Sequence, residues 1–316
     1  NRRIFAWTIG LAVLYSSVMW LARIGVITSY YQATLTTICI NIILASSLNL
    51  ITGFTGQFSL GHAGFMSIGA YSCAVMTMTY PTVWGFLGGV ALGATLAAIV
   101  GILIGLPTLR LRGDYLAIAT LGMAEIIRIL LLNAEFSNGA AGLNGIPRFV
   151  NWSWLFLFTV GTVVIIANFL TSSPGRDCVA VRDDEIAAES VGVHTTRAKT
   201  LAFSVGAAFG GIAGALYASY FYFIKPDLFG FLKSIDILVI VVLGGLGSLS
   251  GSVIAAALLA VVSTLLQPFP EIRMILYALV LVVIMIFRPQ GIMGTREVSL
   301  GFLKRFKREK TAEATP

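Results

Sequence analysis

Long, unbroken apolar runs decide what this chain can become. They fall at about 4–22, 32–51, 57–79, 85–106, 115–133, 152–171, 199–223, 235–247, 251–267 and 272–288. A helix needs about 20 apolar residues to cross the hydrocarbon layer, and most of these runs come close to that length. They do not alternate with period two as barrel strands do. Helices are then the remaining way to satisfy the backbone in lipid. Only 11% of the 316 residues are charged, against roughly 25% in a soluble domain, and mean hydropathy is +0.91. The expected fold is an all-α integral membrane protein, a polytopic bundle of about 8–10 transmembrane helices with broken or re-entrant glycine-rich segments.

The organisation follows from the same runs. A transmembrane domain is expected over 1–290, followed by a basic tail over 291–316. The stretch RRIFAWTIGLAVLYSSVMW near the start is read as the first membrane helix, not as a leader, because no soluble domain follows it. The run at 235–247 is short and leads into GGLGSLSG, residues 244–251. That break fits either a tight turn between two helices or an unwound point within one.

The net charge of +7 has a topological reading. Arg2 and Arg3, Arg110 and Arg112, the group Arg176, Arg182, Arg197 and Lys199, and Arg288, Arg296 and the run KRFKREK form four basic clusters. Ten spans put all four on one side, which the positive-inside rule makes the cytoplasm. Both ends of the chain and the charged segment between them are then cytoplasmic. Basic loops facing anionic lipid account for the charge, so no nucleic-acid partner is expected. Cys39, Cys73 and Cys178 show neither metal-ligand spacing nor an obvious pairing.

One segment stands apart from this apolar background. GRDCVAVRDDEIAAESVGVHTTRAKTLAF, residues 175–203, is crowded with charge. Asp183, Asp184 and Glu185 suit a helix N-terminus, Ile186, Ala187 and Ala188 continue it, and Gly192 can close it at C′. Thr195 or Thr196 can cap the next helix. The result is a short helix outside the bilayer, within a loop spanning 174–198. So short a helix is marginal alone in water and calls for a partner surface.

No phosphate-binding GxxxxGK[ST], no HExxH and no GxSxG occurs in the chain. No catalytic residue is expected, and any nucleotide that drives transport belongs on another chain. An ion-coupled carrier would more often place acids at mid-membrane. Here Glu125 is the one mid-span carboxylate and stands three residues from Arg128, close enough to pair with it on one helix face. Asp114 is read as a local salt bridge or a helix cap.

Two glycine-rich segments are candidates for the translocation path. Gln57, Ser59, Gly61, His62 and Gly64 lie in the first, and Gly244, Gly245, Gly247 and Ser248 in the second. Interrupted helices often line transporter cavities, and small residues equally serve close helix packing. His62 is either a functional ionisable group or a neutral imidazole bonded to a carbonyl.

Four stretches carry a resemblance: NLITGFTGQFSLGHAGFMSIGAY at 49–71, GLPTLRLRGDYLAIATLGMAEIIRILLLN at 105–133, the RDDEIAAES loop, and LGGLGSLSG at 243–251. In this order they resemble permease subunits of bacterial ABC importers of the branched-chain amino acid type, most closely the LivM-type permeases. The resemblance implies a second, LivH-type permease, two cytoplasmic ATPase subunits that bind ATP and magnesium, and a periplasmic amino-acid-binding protein. It implies a bacterial inner-membrane location and no cofactor on this chain. It also implies that Arg182, Asp183, Asp184, Glu185, Ile186, Ala187, Ala188, Glu189, Gly192 and Val193 form the helix that couples to an ATPase. Similar permeases handle urea or short amides, which leaves a second substrate class open.

Overall fold

The computed structural model describes residues 28–266, apart from 109, 110 and 112, and scattered positions on either side. Ten α-helices run through this region: α1 (Ser29–Thr52), α2 (His62–Thr79), α3 (Val83–Thr108), α4 (Asp114–Asn133), α5 (Trp152–Thr171), α6 (Ser173–Asp183), α7 (Glu185–Ser190), α8 (Thr195–Phe221), α9 (Phe231–Gly244) and α10 (Leu249–Leu265). Among them α1, α3, α4, α5 and α8 are long and apolar enough to cross a membrane. The runs expected at 4–22 and 272–288 lie outside the described residues. At 1.5 Å per residue, the 14 residues of α9 reach only about 21 Å, short of a full span.

The bundle is built around α8, which packs along α3, α2 and α1. Glycine permits this. A Cβ added at Gly69 of α2 would lie 1.9 Å from the Gly211 carbonyl oxygen of α8. One at Gly211 would lie 2.8 Å from the Gly93 oxygen of α3, and one at Gly93 would lie 3.0 Å from Gly69 Cα. Three backbones therefore touch at one point, and close approach through small residues is how helices gain dispersion contacts where lipid removes the hydrophobic drive.

The two ends of the bundle differ. At one end a two-residue ribbon closes the fold, Leu143 pairing with Ile224 and Asn144 with Phe223. Arg128 of α4 reaches a 3₁₀ turn at this end, donating to Asp227 Oδ1 at 2.9 Å and also pairing with Glu125. The i, i+3 pair expected from sequence is thus part of a three-residue network. At the other end lie the connections 53–61 and 245–248 and the charged segment, described next. Both glycine-rich breaks are connections between separate helices.

Candidate functional site: the charged loop and the two glycine breaks

The charged segment folds as two helices, where a single one was expected from sequence. Ser172 caps α6 by accepting from Gly175 N at 3.4 Å, and Pro174 sits in the first turn. Cys178 and Val181, three residues apart, face inward and are buried. Burial, with the carboxylate of Asp177 nearby, pushes the Cys178 thiol up to about 11. Ser172, Pro174 and this apolar pair were the readable sign of α6, and the sequence reading passed over them.

The chain breaks at Asp184, where the backbone is extended (φ −158°, ψ 112°). Its carboxylate accepts from Ile186 N at 2.9 Å and Ala187 N at 3.0 Å, so Asp184 is the N-cap of α7. At the far end Val193 N donates to Ala188 O and Gly192 N to Glu189 O, each at 3.0 Å. This is the Schellman arrangement with Gly192, φ +90°, at C′. The next helix starts after His194, whose side chain makes no capping bond. Neither threonine hydroxyl caps α8.

All three acids at the head of α7 are engaged within the chain. Asp183 Oδ1 accepts from Arg182 Nε at 3.0 Å and from Nη2 at 2.8 Å. Asp184 caps. Glu185 Oε1 accepts from Lys199 Nζ at 2.6 Å. Two large apolar side chains point outward from α7 and its C-cap: Ile186 is 72% exposed and Val191 79%. Glu189 and Ala187 are exposed beside them, while Ala188 is buried and Val193 packs against the core. Val191 was not singled out from sequence.

Arg182 turns inward. Its Nη1 donates to Gly53 O at 3.2 Å, and a Cβ at Gly247 would lie 2.9 Å from the same nitrogen. Gly56, at φ +70°, presents its bare Cα to the Arg182 side chain. Asn49, near the end of α1, completes the junction. Its Nδ2 donates to Ser248 O at 2.9 Å, Ser252 Oγ at 2.8 Å and Gly245 O at 3.4 Å. Its Oδ1 accepts from Gly247 N at 2.9 Å. Asn49 was missed in the sequence reading, although a fully buried asparagine in an apolar helix is itself a signal.

A cleft of about 290 Å³ opens here, lined by Thr55, Gly56, Gln57, Leu111, Gly113, Leu116, Val181, Arg182, Asp183, Asp184, Glu185 and Lys199. Leu111 and Gly113, between α3 and α4, and the charged loop therefore share one end of the bundle.

The first glycine segment divides between this junction and the bundle interior. Gln57 is buried, and neither atom of its side-chain amide has a hydrogen-bond partner. Ser59 Oγ accepts from Gly61 N at 3.4 Å. Gly61 and Gly64 meet α4: added Cβ atoms would lie 2.6 Å from Thr120 O and 3.0 Å from Ala124 Cα. His62 is buried, its Nε2 2.8 Å from Ser47 Oγ. The same hydroxyl lies 3.0 Å from Leu44 O. The imidazole's bond is to a hydroxyl, not to the carbonyl expected. In the second segment Gly244 and Gly251 are in backbone contact, Gly245 and Gly247 have positive φ, and Ser248 caps α10 by accepting from Gly251 N at 3.1 Å. Among the described residues no three His, Cys, Asp or Glu side chains gather as a metal site.

Residues 30–287 match the family model described as branched-chain amino acid transport system / permease component. The LivM permease protein of the high-affinity branched-chain amino acid transport system of Escherichia coli (strain K12) is 40% identical over 296 residues, covering 83% of this chain and 69% of that protein. The LivH permease protein of the Salmonella typhimurium system is 25% identical over 287 residues, covering 81% and 92%. A solved structure, PsaBC from Streptococcus pneumoniae in complex with Fab, covers 83% of this chain and 93% of its own at 12% identity and a TM-score of 0.47. The chain belongs to the family of branched-chain amino acid transport permease components.

Proposed function

We propose that this chain is the LivM-type transmembrane permease subunit of an ATP-driven bacterial importer and carries branched-chain amino acids into the cytoplasm by alternating access. The observation that carries this reading is α7. It is a six-residue helix whose N-terminal acids are satisfied within the chain, with Ile186 and, at its C-cap, Val191 standing in solvent. A helix this short does not persist for its own sake, and exposed apolar anchors on a fixed platform are what a partner cleft recognises. An ATPase subunit is the partner that fits. ATP and its magnesium are bound and hydrolysed there, and this chain supplies the path. The assembly holds two ATPases, a LivH-type second permease and a periplasmic amino-acid-binding protein, in the inner membrane, with the charged loop and both termini cytoplasmic.

An ion-coupled carrier is less well supported. Glu125 is held by Arg128, which also holds Asp227, and a carboxylate fixed in that way is poorly placed to load and release protons. Transport of urea or short amides has no separate support in the cleft or the bundle.

Reconstitution tests the proposal. The complex in vesicles, with loaded binding protein outside and ATP inside, is expected to accumulate leucine, isoleucine or valine and to lose uptake when ATP is withheld. Uptake that persists without ATP and collapses with a protonophore would sink it.

A further inference from the structure

We infer that Arg182 is the positioning residue that carries movement of the charged loop into the two glycine breaks. This rests on the proposed function, and it assigns Arg182 a role inside the chain in place of one at the ATPase surface. The guanidinium stands at the end of α6, next to the cap of α7, and any displacement of α7 moves it. Asp183 fixes its orientation by accepting from two of its nitrogens. The remaining arm reaches Gly53 O, the C-cap of α1, and rests against Gly247.

Asn49 binds the other side of the same junction through four hydrogen bonds to residues 245–252. A side chain so fully committed leaves the connection 245–248 no freedom to move independently of α1. Arg182 thus bonds the charged loop directly to this unit. Gly53 and Gly247 are required by space: a Cβ at Gly53 would lie 2.3 Å from Gly247 N. The two breaks are in van der Waals contact and respond together. Arginine suits this position because its planar fork holds Asp183 and the carbonyl at once, whereas a lysine ammonium acts as a point charge.

The test is the coupling ratio: amino acid taken up per ATP hydrolysed by the assembled complex in vesicles. A purely structural defect lowers both quantities together and leaves the ratio unchanged. Arg182→Gln is expected to lower the ratio by about tenfold, the scale of one lost charge-assisted hydrogen bond, with the ATPase still copurifying. Arg182→Lys should recover it in part. If Arg182→Gln does not assemble, Asp183→Ala, on a side chain that is 64% exposed, carries the same test with a smaller expected fall. An unchanged ratio in the variant that assembles overturns the inference. A wild-type complex that takes up solute without hydrolysing ATP overturns the proposed function instead.

Discussion

Lys199 Nζ lies 2.6 Å from Glu185 Oε1, with the side chains 12% and 29% exposed. This pair ties the first turn of α7 to the first turns of α8. Removing either partner should loosen α7, and reversing both charges should restore it. In a double-mutant cycle on thermal unfolding of the complex, a coupling of about 0.5–1 kcal/mol is expected. Additive effects would show that the pair contributes nothing.

The cap at Asp184 makes a separate prediction. Asp184→Ala removes the acceptor for two amides and should cost about 1 kcal/mol, while Asp184→Ser should retain most of the helix. Amide exchange over residues 185–190 reads this directly. Equal protection in the alanine variant would show that docking, not the cap, holds α7.

Ile186→Asp and Val191→Asp place a charge where the helix offers apolar surface. Each should reduce copurification of the ATPase subunit by about tenfold, consistent with loss of an interface anchor, without changing the unfolding temperature of the isolated chain. Glu189→Gln, on the same exposed surface, should change copurification much less. Undiminished recovery of the ATPase with both aspartate variants would place docking elsewhere.

Cys178 is fully buried, and its Sγ contacts Ala198 O at 3.5 Å. Its thiol, pushed up to about 11 by burial, stays protonated from pH 7 to 9, and the protonated thiol is the unreactive form. Maleimide should leave it unmodified in the folded chain over that range and label it after denaturation, with the rate rising towards pH 9. Rapid labelling of the native protein would mean that α6 opens readily.

Much of this architecture could be read from local pattern. The run at 152–171 coincides with α5, and those near α1, α3 and α4 differ from the helices by a few residues, because length and apolarity are properties of a segment by itself. The C′ role of Gly192 was also legible, since a left-handed turn has few residue choices. The fate of Asp183, Asp184 and Glu185 was not. One orients a neighbouring arginine, one caps, and one pairs with a lysine 14 residues on, and three carboxylates in series give no clue to that division. Gly61 and Gly64 fit a cavity lining and a helix contact equally well in sequence. In the fold they face Thr120 and Ala124, a long-range neighbour that no local pattern reveals.

The meeting of Gly69, Gly93 and Gly211 limits how such a bundle can rearrange. Side chains that interlock can exchange rotamers and let helices slip past one another. Three backbones in contact have no rotamers to exchange, so α2, α3 and α8 cannot slide there without first separating. Tilting about that point remains open to them. The node then acts as a fulcrum, and small displacements at the charged end become opposite displacements at the ribbon end, with lever arms set by where along each helix the glycine falls.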